Sequence, residues 1–128
     1  MPLGLPSDVA LVLVVIGRVL LGAFFIIGGL SHFPELDPVS SAMKARGVPF
    51  ARATLIIGTI WQILFGAMLV VGFYTTIAAL ALALFLILAT IMMLNFWDLP
   101  AGPQRDGAYR GFQSNVALLG GLLVAAAS

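Results

Sequence analysis

Arg18 is the residue whose setting demands the most explanation. It is the one charge inside the apolar run from Val9 to Leu30. A guanidinium at the middle of a membrane helix costs at least about 2.5–3.5 kcal/mol on insertion scales, so something must compensate it. On a helix, Arg18, Gly22, Phe25, Gly29 and His32 recur at three- and four-residue spacing and share one face, which is expected to point inward. Gln62 sits in the middle of the next apolar run, with Gly58 and Gly66 one turn to either side. Placed at matching depth on an antiparallel helix, Gln62 is expected to offer Oε1 to Arg18. Two readings stand side by side: Arg18 as a packing device satisfied by Gln62 and backbone carbonyls, or Arg18 facing a cavity and holding a polar or anionic headgroup.

A second polar set, His32, Asn95, Asp98, Gln113 and Asn115, falls near span ends. It reads either as interfacial residues meeting water and capping helices or as the mouth of a ligand pocket. Arg18, Gln62, His32, Asn95 and Asn115 are therefore the candidate ligand-binding residues. Phe96-Trp97 could wall such a pocket or anchor the chain at the interface, and Met92 and Met93 read as core or lipid-facing.

The remaining chemistry is limited by what is missing. There is no cysteine, so thiolate ligands, disulfide exchange and iron–sulfur ligation are excluded for this chain. All five carboxylates, Asp8, Glu35, Asp37, Asp98 and Asp106, lie outside the apolar runs, which argues against an intramembrane proton relay. One histidine cannot supply two axial haem ligands, and no metal set is expected. With no paired carboxylates and no nucleophile–base pair, no catalytic residue is assigned and no independent enzyme activity is expected.

The elements that must position these residues follow from composition. The apolar fraction is 62% and charged residues are 9%. Soluble domains have roughly 45–50% and about 25%. The solvent is therefore largely lipid, and the net charge of +1 gives no argument for nucleic acid. A crossing helix needs about 20 apolar residues. Four spans are predicted, at about 9–30, 53–73, 75–94 and 112–127, giving an all-α integral membrane four-helix bundle in one transmembrane domain. The first lacks the basic flank and cleavage site of a signal peptide and reads as a retained helix. The last is short, so it must thin the bilayer or start earlier with Arg110 snorkelling.

The link around Gly72-Phe73-Tyr74 is so tight that the second and third spans must be antiparallel neighbours. Between the first two, Asp37 is expected to cap a short helix that starts at Pro38 and ends before Gly47, with Val39, Ala42 and Met43 on one face. Lys44, Arg46, Arg52, Arg105 and Arg110 all lie in the two long loops, and the other side has no Lys or Arg. The positive-inside rule predicts cytoplasmic long loops and periplasmic termini, in a bacterial inner membrane. The recurrent glycines of the spans read as sites of close helix packing.

The run Arg18-Val-Leu-Leu-Gly22 through Gly28-Gly29-Leu-Ser-His32-Phe33, then Gly47-Val48-Pro49, Gln62 through Gly66 to Gly72, and Asn115 through Gly120-Gly121 together resemble the DoxX family of small four-helix bacterial membrane proteins. The resemblance covers nearly the whole chain. It implies a setting linked to terminal quinol oxidase and thiosulfate:quinone oxidoreduction. Family members commonly carry a glutamate where this chain has Gln62, so a family charge pair with Arg18 is absent here. The expected function is an accessory or quinone-linked subunit of a membrane redox system, with quinone as a non-covalent cofactor and redox subunits or further copies as partners. The alternatives are an assembly subunit of a larger complex and a binding protein for a small hydrophobic molecule.

Overall fold

The structure is a computed structural model and describes residues 6–128. Ser7–Leu30 forms α1, Leu36–Ala45 α2, Ala51–Val71 α3, Thr75–Met93 α4 and Pro103–Ala127 α5. Single 3-10 turns at Phe33–Glu35 and Phe96–Asp98 lead out of α1 and α4. The described chain is an all-α membrane bundle of four long helices, and α1, α3 and α4 are each long and apolar enough to cross a membrane.

The fourth long helix starts nine residues before its predicted boundary, at Pro103 rather than Phe112. Proline is favoured in a first helical turn because its missing N–H would be unpaired there. Arg105, Asp106 and Arg110 fall in the opening turns, which hides the helix from a hydropathy reading. At 25 residues α5 is long enough to cross, but its added turns are charged, so its apolar stretch is no longer than the sequence indicated. The short helix also starts earlier, at Leu36, and Asp37 does not cap it. Asp37 instead pairs with Arg52 on α3. Of its expected apolar face, Met43 is buried and Val39 packs beside it, whereas Ala42 is exposed. The helix ends as expected: Gly47 adopts φ 83°, and the Val48 N–H returns to the Met43 carbonyl at 3.1 Å.

The bundle is held by close antiparallel contacts. A Cβ built on Gly22 would lie 2.5 Å from the Gly66 carbonyl oxygen, so the α1 and α3 backbones touch there. Trp61 Nε1 donates to the Ala81 carbonyl across the α3–α4 interface at 2.9 Å. Asn115 Nδ2 donates to Thr90 Oγ1 at 2.9 Å, and Thr76 Oγ1 to the Ala126 carbonyl at 2.8 Å, tying α4 to α5. Phe25, Leu69, Leu82 and Leu122 are fully buried between them. The tight turn is as expected, with Gly72 at φ 81° and Tyr74 at φ 47°.

Candidate functional site

The predicted face of α1 is the packed one: Gly22, Phe25 and Gly29 are buried. Its partner on α3 is not the expected one at Arg18. Gln62 Nε2 donates to the Phe25 carbonyl at 2.9 Å, and a Cβ on Gly28 would lie 3.0 Å from the same nitrogen. Arg18 instead lies against Gly72, whose added Cβ would sit 3.0 Å from Nη2. From Arg18 to Phe25 is seven residues, about 10 Å along the axis at 1.5 Å per residue. The proposed Arg18–Gln62 contact is therefore absent. Arg18 and Gln62 belong to different levels of the bundle because α1 continues past the α3–α4 turn, so its midpoint is not level with the midpoint of α3.

Around Gln62 there is a cleft of about 660 Å³. Its walls come from α1, α2, α3, α4 and α5, and most of its lining is apolar: Phe25, Gly28, Met43, Leu55, Trp61, Phe85, Leu86 and Met92 are examples. Phe24, Ile57, Leu84 and Leu88 at its rim are exposed on the outside of the bundle. Six polar residues line it: Ser31 and His32 just past the end of α1, Thr54, Thr59 and Gln62 on α3, and Asn115 on α5.

These polar groups are unequally satisfied. His32 Nδ1 and Thr59 Oγ1 share a hydrogen bond of 2.9 Å, which leaves Nε2 as the free ring nitrogen. If the Thr59 hydroxyl donates, Nε2 carries the proton and is a donor. The ring is partly buried, not purely interfacial as its place at a span end suggested, and its partner Thr59 is buried. Desolvation pushes the His32 pKa below 6.5, opposed by the nearby Glu35 carboxylate. A base depressed on folding is neutral at pH 7. Its contribution to stability is full above pH 6.5 and is lost as pH falls through 6.5 toward the lower folded value.

Gln62 is 6% exposed, and its Oε1 is fully buried with no partner. Burying an amide oxygen without a hydrogen bond costs about 1–3 kcal/mol. Turning the amide over would set Oε1 against the Phe25 carbonyl, oxygen to oxygen, so the arrangement is fixed by its donor. Asn115 spends Nδ2 on Thr90, whose hydroxyl donates to the Leu86 carbonyl at 2.6 Å.

Of the five candidate residues, the structure brings together His32, Gln62 and Asn115 at one cleft. Asn95 is elsewhere: it accepts from Arg46 Nη1 and donates to Asp98 Oδ2 at 3.1 Å, joining the two long loops. Gln113, from the wider polar set, is exposed on α5. Phe96 meets Trp97, Tyr109 and Phe112 edge to face at 4.8–5.4 Å, an aromatic cluster that joins the loop to α5 and does not line the cleft. Thr59 was missed by sequence reading. A threonine in an apolar run gives no signal until the register of α1 on α3 is known.

A family model described as DoxX matches residues 13–95, well over half of the chain. No curated protein and no solved structure matches it.

Proposed function

The chain belongs to the DoxX family, and on that premise we propose that it is a membrane-embedded binding subunit for a quinone-type molecule, serving a redox system of the membrane. The observation that carries this reading is the buried, unpartnered Gln62 Oε1 at the wall of an apolar cleft. Such an oxygen asks for a donor from a guest. The hydroxyl of a reduced quinone head supplies one. In this reading the second Gln62 N–H and His32 Nε2 are the donors that serve a carbonyl of the oxidised form. A bound quinone supplies two-electron, two-proton exchange. The protein's residues hold its ring, while Phe25, Met43, Leu55 and Phe85 exclude water.

The test uses Trp61, which lines the cleft, in a Trp97→Phe background that leaves it the sole tryptophan. Titration with a decyl-tailed ubiquinone in detergent is expected to quench its fluorescence to saturation. Gln62→Met in that background should weaken binding roughly tenfold, about 1.4 kcal/mol, with thermal unfolding nearly unchanged. That stability is expected because the mutation also removes the orphaned oxygen. Quenching that stays linear, or is the same with Gln62→Met, is non-specific partition and removes the proposal.

We include an inner-membrane location with long loops in the cytoplasm, supported by five Lys and Arg in those loops against Arg18 alone at the level of the α3–α4 turn. Single cysteines at Ser7 and Ser41, labelled by an impermeant thiol reagent in intact cells, report it. Label is expected at Ser7 alone, and label at Ser41 alone means the opposite orientation.

A further inference from the structure

Arg18 forms a second site, separate from the cleft. Its guanidinium lies on Gly72, with Nη2, Cζ and Nη1 at 3.0, 3.2 and 3.4 Å from where a Cβ would stand. Nε is fully buried and has no hydrogen-bond partner. Among the described residues Arg18 meets no carboxylate, and the ion pair that does form, Arg52–Asp37, is at the other end of the bundle. The bundle thus supplies this cation with packing but no counter-charge.

The register of the helices shows what surrounds it. With Gly22 opposite Gly66 and Arg18 on Gly72, the ten residues from Ser7 to Ile16 continue beyond the α3–α4 turn. At 1.5 Å per residue that is about 15 Å. Gly121 lies against Leu21, so α5 also ends near this level. The projecting stretch exposes Val9, Leu11, Val12, Leu13 and Ile16, a surface that only lipid tolerates. Lipid therefore reaches past the turn, and Arg18 stands at the floor of a notch beside a taller apolar wall. At the same turn α4 begins without any side-chain cap, so its first N–H groups have no side-chain acceptor.

We propose that this notch binds the phosphate of an anionic phospholipid, with the phosphate on Arg18 and an acyl chain along the exposed face of Ser7–Ile16. A guanidinium forms paired, charge-assisted hydrogen bonds with phosphate oxygens. A headgroup drawn down to the turn also relieves the difference in height between α1 and its neighbours. The site stands independently of the quinone reading, since it shares no residue with the cleft.

The experiment compares thermal unfolding of detergent-purified protein on adding phosphatidylglycerol, phosphatidylcholine or inorganic phosphate, with native mass spectrometry to count bound lipid. Wild type is expected to retain one phosphatidylglycerol and to gain stability from it more than from phosphatidylcholine. Arg18→Gln should bind it roughly tenfold more weakly and lose that selectivity, and Arg18→Lys should keep part of it. Equal stabilisation of wild type by the two lipids overturns the proposal without any variant. So does an Arg18→Gln protein with undiminished selectivity. A full effect from inorganic phosphate alone makes the site one for a free anion and overturns the lipid assignment.

Discussion

Gly22→Ala is expected to be among the most damaging single-methyl additions in this protein, lowering stability by more than about 3 kcal/mol or preventing folding. The added carbon would stand 2.5 Å from the Gly66 carbonyl oxygen and 2.6 Å from Val70 Cγ2. The first is backbone and cannot rotate away, so α1 and α3 must separate. Separation would also pull Gln62 from the Phe25 carbonyl and His32 from Thr59. In lipid, helices are held by close packing rather than by exclusion from water, so lost contact is not replaced. Gly120→Ala is the control: nothing lies within 4 Å of its Cβ position. It should be neutral or gain up to about 1 kcal/mol from helix propensity. Thermal unfolding in detergent measures both. A Gly22→Ala protein as stable as the Gly120→Ala protein would show that the two backbones do not touch.

Gln62→Glu has the second large effect, and its direction is opposite to what the family pattern implies. If Arg18 were the partner, a carboxylate at position 62 would form an ion pair. In the structure the position faces the Phe25 carbonyl at hydrogen-bond distance, and Arg18 lies at another level of the bundle, against Gly72. An ionised carboxylate there would meet a carbonyl oxygen in an apolar wall without a cation. Buried charges of this kind cost about 3–5 kcal/mol. Protonated, the same group can donate to Phe25 much as the amide does. Gln62→Glu should therefore be much less stable than wild type at pH 8 and recover toward it at pH 5. A variant stabilised at pH 8 would place a cation within reach of position 62.

The spans, the tight turn and the packed face of α1 were legible because each is written locally, in long charge-free runs or in three- and four-residue spacing. The level at which one helix meets another is not local. Arg18 and Gln62 each sit near the middle of their own apolar run, and matching midpoints paired them wrongly. Gly22 on Gly66 sets the true register, and the sequence offers several other glycines that could have done so. Asn95 illustrates the same limit. Its partner Arg46 is 49 residues away, and no spacing rule links them. The start of α5 was hidden for another reason: a helix whose first turns carry charge looks like a loop to a count of apolar residues.

The exposed rim of the cleft, formed by Phe24, Ile57, Leu84 and Leu88, faces sideways into the bilayer rather than toward either aqueous phase. A guest that dissolves in the membrane reaches it by diffusion in two dimensions, without passing through water. Occupancy is then governed by the guest's mole fraction among the lipids, not by its aqueous solubility. A guest present at one molecule per hundred lipids half-fills the cleft even when its preference for the protein over bulk lipid is only about 2.7 kcal/mol, the free energy of a hundredfold ratio. Weak hydrogen bonds of the kind Gln62 and His32 can offer are sufficient on that scale, and they let the guest leave again.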